Sequence, residues 1–156
     1  MRYYEDLIEG EEGASGTLQV DERELIEFAT RYDPQYFHVD PRAAERSVFG
    51  GLVASGIHTM ALWRRLDHEI AQNIAWICGV RWDEVRFAAP VRPGDTLRAH
   101  SKCLSKRPSA KHPERGVVVH RYSLANQRGE VVFSCRSIAL IERRPHTGVE
   151  QAQPSP

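Results

Sequence analysis

The stretch "RYDPQYFHVD" (residues 31–40) sets an aspartate, Asp33, five residues ahead of a histidine, His38. A carboxylate and an imidazole held together can grip a water molecule and move its proton, because histidine titrates near neutral pH and a carboxylate can orient its ring. Read alone, the pair has a plainer account. Aspartate before proline is an ordinary turn residue, and a single histidine in a loop is usually a solvated surface group. A second stretch, "FGGLVASGIHT" (49–59), places Gly56 directly after Ser55. If Ser55 caps a helix, Gly56 is its first residue. Its N–H then has no partner inside the helix, the helix dipole adds partial positive charge, and no side chain keeps a ligand atom away. Such an N–H can stabilise an oxygen that becomes negative during a reaction. The plainer counterpart is a helix that starts beside a glycine-rich turn. Ser55 has no matched base beside it and reads as a cap, not a nucleophile.

The flanking sequence predicts the elements that carry these residues. "GTLQV" (16–20) reads as a short strand. Asp21 can cap a helix over 22–32, with Glu24 as its capping-box partner. Leu25, Phe28, Ala29 and Tyr32 share one face of that helix by their spacing. Pro34 stops it, because a residue before proline is pushed out of the α region, so Asp33 sits where helix gives way to loop. The loop runs through "PQYFHVD", and "PRAAERS" (41–47) makes one or two helical turns. A long helix follows over roughly 56–72, with Ile57, Met60, Ala61, Leu66 and Ile70 on its apolar side and Arg64, Arg65, Asp67 and Glu69 on its polar side. Strands are expected over 74–91, 96–106, 117–127 and 130–143, broken by the turns "RPGD" (92–95) and "NQRG" (126–129) and by the polar connection "RPSAKHPERG". One long helix followed by a four-strand antiparallel meander predicts an α+β fold with the sheet wrapped on the helix. The domain is expected to span 1–144, with 145–156 a disordered tail.

Composition narrows the function classes. A chain of 156 residues suits one domain. Its 21 basic and 21 acidic residues leave no broad positive field, which argues against nucleic acid as the primary ligand. No apolar run approaches the ~20 residues that span a bilayer. The acidic start "MRYYEDLIEGEEG" lacks the order of a signal peptide. Cys78, Cys103 and Cys135 are scattered and form no CxxC pair, so they read as reduced thiols in a cytoplasmic protein. Seven histidines show neither HxH nor HExxH, and no metal site is expected. Lys106, Arg107, Lys111 and Arg115 form a basic stretch that reads first as a solvated hairpin and second as a contact for phosphates.

Taken together, "YDPQYFHVDPRAAERSVFGGLVASGIHT" resembles the signature of the MaoC-like dehydratases, the family that includes the (R)-specific enoyl-CoA hydratases. Asp33 and His38 fall at that family's spacing, and Gly56 falls where the family places its glycine at a helix start. "VRFAAPVRPGDTL" resembles the strand and turn after the family's long helix. One departure lies in the link "PQYF", which lacks the asparagine of the Asp-x-Asn-Pro-x-His pattern but leaves both acid/base residues in place. The resemblance implies the hot dog fold, a long helix wrapped by a bent antiparallel sheet. It also implies a homodimer or dimer of dimers, with acyl-CoA bound along the subunit interface. The implied reaction is reversible hydration of a trans-2-enoyl thioester to a 3-hydroxyacyl thioester. Asp33 and His38 would activate water and the Gly56 N–H would hold the thioester oxygen, with no metal or redox cofactor. Two rivals stay open at this point: an acyl-CoA thioesterase, and a non-catalytic acyl-binding or assembly subunit, since fold alone does not fix function.

Overall fold

A computed structural model describes residues 1–145. The tail expected beyond Pro145 lies outside the described residues. After a 3₁₀ turn at Tyr4–Asp6, two short strands, β1 (Glu12–Ala14) and β2 (Leu18–Gln19), lead to α1 (Glu22–Tyr32), then to the single-turn helices α2 (Tyr36–Val39) and α3 (Pro41–Ala44). The long helix α4 (Gly56–Ile70) follows, and four long strands complete the chain: β3 (Trp76–Phe87), β4 (Thr96–Pro108), β5 (Arg115–Ala125) and β6 (Val131–Glu142). No helix among the described residues is long and apolar enough to cross a membrane.

All strand pairs are antiparallel, in the order β1-β4-β5-β6-β3, with β2 also on β4. The expected four-strand meander therefore holds only for β4–β5–β6. β3 crosses to the far edge and pairs with β6, so the strand leaving α4 closes the side of the sheet opposite β4. The bent sheet wraps α4, which is the hot dog arrangement. The turns use the residues the sequence offers. Gly94 and Gly129 take φ of +83° and +74° at the 92–95 and 126–129 turns, a region glycine enters without Cβ strain. The Asp95 carboxylate closes the first turn by accepting the Arg92 N–H at 2.8 Å.

The inward face of α4 is rotated from the expected one: Leu66 is buried and Met60 and Ile70 pack against the core as expected, but Ile57 and Ala61 are exposed. Leu62, Trp63 and Leu66 are buried, and with them His58, Thr59 and Asp67, whereas Ile57 is 55% exposed. The largest side chain sets the phase. Trp63 packs on Tyr122 and Phe133, with ring centroids 5.1 and 5.2 Å away, and positions 59, 62 and 66 follow it inward by helical spacing. Asp67 is carried along, and Arg64 and the Tyr122 hydroxyl partner its carboxylate. Burial holds that carboxyl above the usual carboxylate range despite both partners. α1 buries Leu25 and Ala29 but leaves Tyr32 exposed.

A second, smaller core sits at the other end of the sheet. Tyr4, Leu7, Cys103, Val118 and Ile141 pack there. The Tyr4 ring lies directly on Gly116, and any Cβ at that position would overlap it. Lys106 covers the ring from another side, its Nζ 4.8 Å from the centroid. Gly116→Ala should therefore lower stability by about 1–3 kcal/mol, the cost of overpacking a filled site, read as a reduced urea midpoint with an unchanged slope.

Candidate active site

Asp33 and His38 are brought together by the way α1 ends. The Asp33 N–H still donates to the Ala29 carbonyl, at 2.8 Å, so Asp33 caps the helix as Pro34 requires. The chain then makes α2, an unexpected turn within the stretch read as loop. The His38 N–H donates to the Gln35 carbonyl at 2.8 Å, and that turn rolls His38 inward until it is only 6% exposed. Asp40 caps the next turn by accepting from the N–H groups of Arg42 and Ala43.

Two bonds tie this turn to the strand-like segment ahead of α4. The Val53 N–H donates to the Phe37 carbonyl at 3.1 Å, and His38 Nδ1 lies 2.7 Å from the Val53 carbonyl oxygen. A carbonyl oxygen only accepts, so Nδ1 carries a proton and, in the neutral ring, Nε2 presents its lone pair. Nε2 stands 3.7 Å from Asp33 Oδ2, beyond hydrogen-bond length. Both atoms are acceptors aimed at shared space, which is what holding the two protons of a water molecule needs.

Ser55 has two partners. Its Oγ accepts from the Ile57 N–H at 3.3 Å, the expected cap, and its hydroxyl donates to Asp33 Oδ2 at 2.6 Å. The Asp33 carboxyl is held below the usual carboxylate range by this bond first, then by the Gln35 side-chain amide and the nearby His38. The second bond of Ser55 joins two sites far apart in the chain, so no local signal in the sequence marks it.

Gly56 opens α4 as expected, and the described hydrogen bonds give its N–H no protein acceptor. A Cβ at position 56 would stand 3.1 Å from Cζ of Phe87, so packing as well as ligand access favours glycine here. His38 and Gly56 line one cavity of about 470 Å³ with Phe37, Phe49, Thr59 and Phe87. Asp33 is not among its lining residues; it joins the site through Ser55 and His38. The aromatic members of this wall escaped the sequence reading because their spacing is that of ordinary core residues. His58 points elsewhere. It stacks on Phe28 at 4.6 Å, with Nε2 4.0 Å from Glu24. In the basic 105–116 stretch, Lys106 donates to the Tyr4 carbonyl and Arg115 pairs with Glu114.

Replacing Ser55 tests the link. A depressed carboxyl pKa favours the folded state above the unfolded value, and that contribution is lost as pH falls through the lowered value. In Ser55→Ala the Asp33 carboxyl should titrate at higher pH, followed by its carboxyl carbon resonance. Loss of the cap should also lower stability by about 0.5–2 kcal/mol at neutral pH.

A family model described as the MaoC like domain matches residues 5–123. The crystal structure of a MaoC-like dehydratase from Rhodospirillum rubrum superposes with a TM-score of 0.87 at 38% identity, covering 93% of this chain and 99% of that one. The uncharacterized protein YdeM of Bacillus subtilis is 35% identical over 130 residues, 81% of this chain and 89% of that protein. The 3-hydroxyacyl-thioester dehydratase Z of Mycobacterium tuberculosis is 34% identical over 95 residues, 59% of this chain and 63% of that protein. With this match over most of its length, the chain belongs to the MaoC-like domain family.

Proposed function

We propose that this protein catalyses reversible hydration of a trans-2-enoyl thioester, with CoA as the carrier, to the 3-hydroxyacyl thioester. The observation that carries the reading is the pair of facing acceptors, Asp33 Oδ2 and His38 Nε2, beside a helix-start N–H without a protein partner. Water held between the two acceptors has its oxygen lone pair free for C3. Its O–H bond breaks as the C3–O bond forms, and the proton passes to the pair. The electrons of the double bond move onto the thioester oxygen, where the Gly56 N–H donates to the developing enolate. The pair then delivers a proton to C2, so that one water is consumed per double bond. Dehydration is the same path reversed. The low pKa of Asp33 keeps it ionised as an acceptor at neutral pH. The relative named as a 3-hydroxyacyl-thioester dehydratase supports this reaction class. No metal or redox cofactor enters the scheme. Buried, unpaired Cys103 and Cys135 suit the reducing cytoplasm in which the protein is proposed to work.

The working unit is proposed to be a homodimer formed through β3. That strand is an edge, with Ile77, Val80, Trp82, Val85 and Phe87 between 37% and 58% exposed, the kind of open, apolar strand that invites another strand. About Trp82, Ile77 and Phe87 are equidistant, as are Arg81 and Asp83. An antiparallel copy centred on Trp82 would set Ile77 against Phe87 and Arg81 against Asp83, and Val80 against Glu84, each pair made twice by a two-fold axis.

Asp33→Asn and His38→Ala should each lower hydration of crotonyl-CoA by about 10²-fold or more, followed as loss of the enoyl-thioester absorbance. Near-wild-type turnover in both folded variants would sink the mechanism, and release of free thiol instead of double-bond loss would favour the thioesterase. Val80→Glu should shift the protein from dimer to monomer in light scattering.

A further inference from the structure

The cavity beside Gly56 ends in aromatic rings. Gly56 and Thr59, one turn apart on α4, line the cavity with Phe87 opposite, and the Phe87 ring lies against the helix start. Behind Phe87 stands Phe133, with ring centroids 5.6 Å apart, and behind Phe133 stands Trp63 at 5.2 Å. Trp63 in turn touches Tyr122 and Trp82, at 5.1 and 5.3 Å. Phe133 and Trp63 have no solvent exposure, and Tyr122 has 3%. Rings packed in this way fill the space directly behind Phe87. On the outer side Phe37 and Phe49 close against each other at 5.2 Å. A thioester oxygen on the Gly56 N–H would direct its acyl tail between these two walls.

We propose that Phe87, backed by Phe133 and Trp63, ends the acyl pocket and restricts the protein to short-chain acyl thioesters. The proposal rests on the acyl-thioester reading above and adds the substrate's size class. Phe87 is the member that sets the limit, because of the three rings it is the one that lines the cavity, whereas Phe133 and Trp63 are core.

Affinity for saturated acyl-CoAs tests the wall without requiring turnover. Each methylene taken into an apolar pocket strengthens binding by about fourfold. An open channel would therefore favour decanoyl-CoA over butyryl-CoA by roughly 10³-fold or more. With the wall in place, calorimetry on the full chain should find the two within about tenfold. Phe87→Ala should tighten decanoyl-CoA by at least about tenfold and leave butyryl-CoA within about threefold. Phe87→Leu, which keeps most of the volume, should stay near wild type. Circular dichroism and light scattering establish that each variant is folded and assembled like the wild type. A wild-type preference for decanoyl-CoA above tenfold, an unchanged ratio in folded Phe87→Ala, or no binding of either ligand overturns the proposal. Crotonyl-CoA hydration in the same samples judges the hydratase reading separately: its absence, with the chain-length ratio intact, counts against the chemistry and not the wall.

Discussion

The hydrogen bond from the Ser55 hydroxyl to Asp33, at 2.6 Å, is the joint on which the candidate site turns. Asp33 ends α1 and Ser55 begins α4, so one short bond fixes the end of one helix against the start of another. It gives the carboxylate a neutral donor on Oδ2, while the Gln35 side-chain amide donates to Oδ1 at 3.1 Å. It also fixes the place where the Gly56 N–H emerges. His38 is held independently, by the carbonyl of Val53, two residues before Ser55. Carboxylate, imidazole and backbone donor therefore share a single reference, the segment from Val53 to Gly56, and that segment is in turn anchored to the sheet side through the Ala54 N–H on the Val91 carbonyl at 2.8 Å.

Much of this was legible in the sequence, for reasons that can be named. Pro34 marks the end of α1 whatever the tertiary context, and Asp21 and Ser55 cap helices by local chemistry, so the places of Asp33 and Gly56 follow from neighbours in the chain. The strands β4 to β6 announce themselves by turn residues that need positive φ, Gly94 and Gly129. What failed depended on partners distant in sequence. The inward face of α4 was set by the bulk of Trp63 against Tyr122 and Phe133, which outweighed the apolar count at Ile57 and Ala61. Buried Asp67 read as polar surface because its partner, Tyr122, lies on another element. The position of β3 beside β6, rather than β4, is a matter of topology that strand periodicity does not encode.

The chemistry and the enclosure of the site come from different parts of the molecule. The polar groups sit in the short-helix region between α1 and α4, where backbone N–H and C=O groups are consumed by caps and cross-links and little freedom is left. The walls come from the sheet, where large rings meet in pairs. Under the proposed function, a change on the sheet face would alter the acyl space without touching the bonds that hold Asp33 and His38.

The two halves of the site also differ in how they must form. The bonds from Ser55 to Asp33 and from His38 to Val53 close loops of 22 and 15 residues, short enough to assemble early and at modest entropic cost. The contact of Phe87 with Phe133 waits for β3 to find β6 across the whole of β4 and β5. Non-local pairings of this kind set the pace of folding. The polar half of the site is thus closed by contacts local in the chain, whereas the aromatic wall exists only once the sheet is complete.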